Sequence, residues 1–344
     1  MPVVSVPRLG VHLSNHGPAA PCLELARLAE SEGLDSVWLS EDLYFRGAVP
    51  IAGAVAAVTS VIDIGFGVLT PYSRHVSLMA MEFAALLDIA GPRVIAGIGA
   101  GVAARTRSMA IEYASPLATV KEYVDVFRRL MAGEAVTIQG VMQSATDLRL
   151  SFTDLPGIPP VYVAAVGPKA LEQAGRISDG VVLSLMSSRS YITWAFERIQ
   201  AGATAAGRGA ALPIVVYMPL AVAERAEDAV ASLKPYIAYY IKRWAPIESL
   251  QLLFTEWGPL SRDELLEMAK ALEAGRSPAE VIPDDLIRSY CIAGDLEGCQ
   301  RQVESLAASG VTDIIIDPSG DLATKRGTIQ AVAALRRALH EKSE

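Results

Sequence analysis

The chain has 344 residues, 51% of them hydrophobic and 20% charged, with 38 acidic against 30 basic side chains and a net charge of −8. That length and apolar share suit a soluble chain with a large core, and the negative balance argues against nucleic acid or an anionic membrane surface as a partner. The longest apolar run, residues 51–62, is broken by Thr59 and Ser60 and closed by Asp63, so it does not span a bilayer, and the first ten residues lack the basic start and apolar core of a signal peptide.

In chain order, short apolar runs bounded by polar or glycine-rich turns predict strands over residues 8–13, 35–40, 62–69, 94–99, 160–166, 180–184, 214–222 and 312–317. Helical periodicity separates them. Residues 21–32 repeat Leu25, Leu28 and Ala29, and residues 76–90 are stopped by Gly91 and Pro92. Residues 120–131 repeat Val124, Phe127 and Leu130, and residues 168–177 repeat Leu171 and Ala174. Eight alternating units predict the α/β class and a closed (β/α)8 TIM barrel, residues 1–344 forming a single domain, whereas a doubly wound sheet suits five or six strands.

Two segments break the rhythm. Residues 135–152 alternate apolar and polar around Gly140 and predict a hairpin. Residues 232–292 form an insertion between strands seven and eight that holds Tyr236, Tyr239, Tyr240, Trp244, Phe254 and Trp257. Because it follows a strand's C-terminal end, it is placed to cap the barrel mouth; helix packing or a subunit interface is an equal reading of its aromatics. Cys22, Cys291 and Cys299 show no CxxC spacing and predict reduced thiols in a cytoplasmic protein.

The stretch 62–101 organises the rest. In a right-handed crossover its two parallel strands deliver residues 70–75 and 97–105 to one face, where α/β folds bind ligands. Gly65 and Gly67 on one strand with Gly97, Gly99 and Gly101 on the next predict a close backbone approach to a ligand, against tight strand packing for any one of them. Gly99, Gly101 and Ala104 satisfy GxGxxA, but Glu122, at the spacing where a dinucleotide fold wants its acidic residue, falls inside a helix. No Walker lysine follows a glycine loop. A second turn at Val166-Gly167 leads into Pro168-Lys169 at a helix start, where free backbone amides attract a phosphate. His12 and His16 have the spacing of a helical metal pair, yet Gly10 and Gly17-Pro18 put them on a strand end and loop, so no metal is expected.

Residues 67–75, GVLTPYSRH, and 97–101, GIGAG, resemble the bacterial luciferase-like superfamily, within it the coenzyme F420-using branch that includes methylenetetrahydromethanopterin reductase. The likeness runs from Leu9 to about Leu335 and is strongest over residues 33–46, 64–101 and 161–184. It implies a bulged third strand with a non-proline cis bond at Gly67–Val68 behind the deazaflavin ring. On the same resemblance Gly67, Val68, Leu69, Thr70, Gly99, Ala100 and Gly101 are cofactor-binding, and Val166, Gly167, Pro168 and Lys169 hold its phosphate. Ser184 and Ser187, with Ser188 and Arg189, are further phosphate or tail candidates. Many branch members carry Asp-His where this chain has Glu41-Asp42. The catalytic candidates are therefore Glu41 and Asp42, provided burial raises one carboxyl toward neutrality, and His16 as a substitute proton carrier. A salt bridge that braces the loop is the competing role for the carboxylates, and Tyr72 and Arg74 line the pocket or fix loop three.

The resemblance implies an F420-dependent oxidoreductase passing a hydride between the deazaflavin C5 and a small organic substrate, as a homodimer. An FMN-dependent luciferase-like monooxygenase is the second reading, and a non-catalytic flavin-binding barrel the third.

Overall fold

The computed structural model describes residues 6–342 except 153, 155, 156 and 210, so the first five residues read above for a leader lie outside the described ones. Strand β1 (Arg8–Leu13) shows how the sequence builds the barrel. Leu9, Val11 and Leu13 are fully buried against the helical layer, while Gly10 and His12 meet lumen residues of neighbouring strands. The same period of two carries through β2 (Ser36–Leu39), β3 (Asp63–Phe66) and β4 (Val94–Gly99). Strands β5 (Val136–Gln139) and β6 (Ser144–Leu148) pair antiparallel as the expected hairpin. Then follow β7 (Val161–Ala164), β8 (Gly180–Val182), β9 (Ile214–Met218), β10 (Leu220–Val222), β11 (Ile292–Gly294) and β12 (Asp313–Ile316). The order β1-β12-β9-β8-β7-β4-β3-β2 closes, with every pair parallel, into a (β/α)8 barrel.

The lumen is a packed core. Trp38, Ile95, Tyr162, Val182, Val215, Tyr217 and Ile315 fill it, and Val68, Ala164 and Leu185 pack on top, half-buried. The strand glycines make room for these groups. A Cβ at Gly65 would overlap the Trp38 ring, one at Gly67 the Tyr217 hydroxyl, one at Gly97 the Phe66 carbonyl, and one at Gly99 would come 2.6 Å from Val68. These contacts alone require glycine at all four positions, which is the strand-packing reading of them.

Strand three is interrupted. After Phe66 comes the cis bond Gly67–Val68, and pairing resumes when Leu69 donates its N–H to Gly97 O at 2.9 Å and accepts from Gly99 N at 3.0 Å. The expected strand 214–222 is also two strands. Pro219 has no N–H to continue the ladder, its carbonyl accepts from Ile292 N at 2.9 Å, and β10 leaves the barrel to pair with β11.

The long excursion begins earlier than expected, as helix Ala226–Trp244 with Glu227 and Asp228 in its first turn. Helices Glu248–Gln251, Arg262–Glu273, Pro278–Val281 and Asp284–Tyr290 follow, and Leu233, Ile237, Ile241, Phe254, Leu265 and Ile287 form an apolar cluster apart from the barrel's. Among the described residues no helix is long and apolar enough to cross a membrane.

Candidate active site

The C-terminal ends of β1, β9 and β12 bring a buried polar group together. His12 Nδ1 donates to Asp317 Oδ1 at 2.7 Å, and Tyr236 Oη, from helix Ala226–Trp244, donates to Asp317 Oδ2 at 2.5 Å. Burial pushes the Asp317 carboxyl up, but the charge and hydrogen bond of His12, the Tyr236 hydroxyl and Lys325 carry it below its ordinary value. It stays ionised. Burial beside that charge pushes the Tyr236 phenol well up, so Tyr236 remains a donor. Tyr217 stands edge-on to His12, ring centroids 5.7 Å apart, and its phenol is likewise raised by burial. The other imidazole nitrogen, His12 Nε2, is buried and has no hydrogen-bond partner.

A second imidazole–carboxylate pair lies in the loops that follow β1 and β2. His16 Nε2 donates to Asp42 Oδ2 at 2.7 Å, and its ring stacks on Phe45 with centroids 4.0 Å apart. The guanidiniums of Arg105 and Arg243 each lie 5.8 Å from the Phe45 centroid, so the loop after β2 is gripped from the β4 side and from the excursion. Burial raises the Asp42 carboxyl, yet the His16 hydrogen bond and the charges of His16, Arg105 and His12 bring it below its ordinary value. The expectation of a carboxyl raised toward neutrality is corrected. Asp42 is an anion that holds an imidazole, and His12 acts on it as well.

Glu41, the neighbouring candidate, is a brace. Arg74 Nη1 donates to Glu41 Oε1 at 2.6 Å and Arg74 Nε lies 2.8 Å from Glu82 Oε2, while Tyr123 Oη donates to the Arg74 carbonyl at 3.1 Å. Its second oxygen is buried without a hydrogen bond, so the Glu41 charge rests on Arg74. This corrects Glu41 as a proton carrier and gives Arg74 its role in fixing loop three. Tyr72 does the same, donating to Ala114 O at 2.7 Å and stacking on Tyr113 at 4.7 Å.

Of the cofactor candidates, Val68 stands half-buried at the lumen and Ser40 Oγ donates to Gly67 O at 2.8 Å. Thr70 Oγ1 donates to Ala100 O at 3.2 Å, and Gly101 takes φ +68°, which joins the ends of strands three and four. Leu69 is corrected: its side chain is buried in the layer between barrel and helices. Gly167 precedes helix Pro168–Ile177 with no side-chain cap, nothing lies within 4 Å of where its Cβ would be, and Lys169 is exposed. Tyr191 Oη steadies this turn by donating to Val166 O at 2.7 Å.

Ser187 and Ser188 are turned inward. Ser187 is buried with its hydroxyl donating to Ser184 O at 2.6 Å, and Ser188 caps helix Arg189–Ala205, accepting from Tyr191 N and donating to Trp257 O. Arg189 donates to Cys291 O and Gln302 Oε1. A cleft of about 400 Å³ beside Ser188, Arg189 and Arg288 shares no lining with either histidine pair. His12 and His16 themselves bind different carboxylates, and Cys22, Cys291 and Cys299 are free and buried.

Sequence reasoning chose His16 and passed over the His12 pair. The signal was there: on a strand with alternating faces, His12 follows Gly10 by two and points inward.

Residues 1–313 match the family described as luciferase-like monooxygenase, and the chain belongs to that family. It is an oxidoreductase of (β/α)8 form. The chain is 29% identical over 318 residues to the 5,10-methylenetetrahydromethanopterin reductase of Methanolobus tindarius, covering 90% of this chain and 95% of that one. Its fold matches the coenzyme F420-dependent tetrahydromethanopterin reductase of Methanopyrus kandleri with a TM-score of 0.81 at 22% identity, over 96% of this chain and 98% of the other. An F420-dependent secondary alcohol dehydrogenase bound to an F420-acetone adduct superposes with a TM-score of 0.77 at 20% identity, over 97% and 99%.

Proposed function

We propose that the chain is an F420-dependent oxidoreductase acting on a small organic substrate. The observation that carries this reading is the near-full-length likeness to a methylenetetrahydromethanopterin reductase, supported by F420-dependent structural neighbours whose substrates differ. The residues present fit the coenzyme: a half-buried valine ridge for a flat ring, an uncapped helix start with open space for a phosphate, and an unpaired buried imidazole nitrogen.

When bound, the deazaflavin supplies or accepts a hydride at C5. Val68, Gly67 and the turn Gly99-Ala100-Gly101 form the wall for the ring, Thr70 fixing that wall through Ala100. The turn Val166-Gly167-Pro168-Lys169 offers backbone amides and one ammonium to the phosphate, with Ser184 at the neighbouring strand end. At the rim, the ionised Asp42 orients the His16 ring, and this pair is the one positioned to handle a proton there. Helix Ala226–Trp244 closes over the mouth through Tyr236 and Arg243.

The reading includes a homodimer. Leu78, Met81, Ala85 and Ile89 expose one stripe of helix Val76–Ala90. A cytoplasmic location suits three unpaired, buried cysteines.

Thermal shift and fluorescence titration of the purified protein with F420 and with FMN test the cofactor. F420 raises Tm with saturable binding and FMN does not. Tight FMN binding with oxygen-dependent turnover would favour a monooxygenase, and binding of neither overturns the reading.

A further inference from the structure

We infer that Arg46, Arg105 and Arg243 form an anion anchor around Phe45 at the barrel mouth, so that the substrate is an organic anion held there by its carboxylate or phosphate group. This inference rests on the F420-dependent reading.

Three segments far apart in sequence bring their guanidiniums to one ring. Arg105, on the short helix Ala103–Ser108 after β4, and Arg243, near the end of helix Ala226–Trp244, each lie 5.8 Å from the Phe45 centroid. Arg46 follows Phe45 in the chain and donates from Nη1 to the His16 carbonyl at 3.2 Å, and the His16 ring stacks on Phe45 at 4.0 Å. Phe45 and Arg46 are exposed and the other two arginines half-buried, so a solute reaches all of them.

Like charges gathered in this way repel one another. In a chain with 38 acidic against 30 basic side chains the ready remedy is a carboxylate partner, which Arg74, Arg128 and Arg336 have at 2.6, 2.7 and 2.9 Å. Among the described residues none of the three rim arginines has one within 4.0 Å. Asp42 acts on Arg105 through its charge, but its hydrogen bond goes to His16. A guanidinium carries five N–H donors, and each of the three spends one on the protein: Arg46 on His16 O, Arg105 on Leu43 O at 2.7 Å, and Arg243 on Tyr239 Oη at 3.0 Å.

A brace for this loop needs one cation over the ring. Two on one ring with a third alongside add a repulsion that an anion relieves. The guanidinium fork matches carboxylate and phosphate oxygens alike, and an anion seated there rests beside His16, at the rim where a proton can be handled. The coenzyme's own phosphate has a separate seat in the functional reading, at the turn after β7.

The test titrates benzoate, phenyl phosphate and neutral benzamide into F420-loaded protein at low ionic strength. Calorimetry gives the affinities, and long-range 1H–15N spectra of protein labelled at the histidine rings give the place. Both anions are expected to bind saturably and to move the His16 signals while His340 stays fixed; added salt weakens them, and benzamide binds at least about tenfold more weakly. The tighter of the two anions assigns the substrate's charged group. Arg243→Gln and Arg105→Gln each weaken the anions about tenfold, and Arg105→Lys, which keeps the charge, about threefold. F420 affinity holds within about threefold throughout. If benzamide binds as the anions do, if no probe moves His16, or if the variants weaken F420 in place of the anions, the inference falls and the F420 reading stands. If F420 does not bind, the functional reading falls, and the same titrations of the unloaded protein decide the anchor by itself.

Discussion

Asp317 is buried to 8% exposure, yet its carboxyl lies below the ordinary value of 3.8, because the charge and hydrogen bond of His12, the Tyr236 hydroxyl and the Lys325 charge outweigh desolvation. The unfolded chain therefore takes up this proton at a higher pH than the folded one. The stabilisation is complete above about 3.8 and is lost as pH falls through the folded value. Wild type is expected to exceed Asp317→Asn in Tm near neutrality, with the gap closing in acid, as scanning calorimetry across that range would record; a constant gap would remove the ionised carboxylate from the account. Glu41 gives the contrasting case. Glu41→Gln is expected to cost about 2 kcal/mol in urea denaturation, since Arg74 loses one of two carboxylates, and to leave F420 affinity unchanged. An equal loss of F420 affinity would return Glu41 to the site. At this scale the sequence was legible only in part. It put chemistry at the ends of strands one and two, but only the fold brings Asp317, 305 positions away, to His12. Sequence order likewise hid Arg74 as the partner that takes Glu41 out of acid/base work.

Elements were the most legible level. Helix Val76–Ala90 runs over the residues its periodicity predicts because His75 caps its start and Gly91, at φ +65°, ends it. Strand nine stops short of the predicted run for one reason, Pro219, and a proline inside a presumed barrel strand was the visible warning. The packing demand on the strand glycines was not legible because their neighbours are lumen aromatics from strands distant in sequence. Gly65→Ala would drive a methyl into the fully buried Trp38 ring, and a loss of about 2–3 kcal/mol by chemical denaturation is expected. An unchanged midpoint would mean that the ring has room to move. In the excursion, Ser261 and Glu264 form a capping box at helix Arg262–Glu273. Ser261→Ala should cost about 1 kcal/mol and speed amide exchange in that helix's first turn, leaving the barrel strands protected.

For the whole molecule, eight parallel strands place a packed aromatic lumen beneath a polar mouth, and the excursion between strands nine and twelve closes over that mouth. The outer stripe of helix Val76–Ala90 predicts self-association. Leu78→Glu with Met81→Glu should shift sedimentation from dimer to monomer without changing the far-UV circular dichroism spectrum. A wild type that sediments as a monomer would remove the dimer. The central claim is that the barrel mouth receives F420, and a crystal structure of the protein with that coenzyme tests it most directly. The account predicts the deazaflavin ring against Gly67–Val68 with His12 facing it, and the phosphate at Gly167–Lys169. A ring seated away from that wall, or a mouth that takes FMN and leaves F420 in solution, would contradict it.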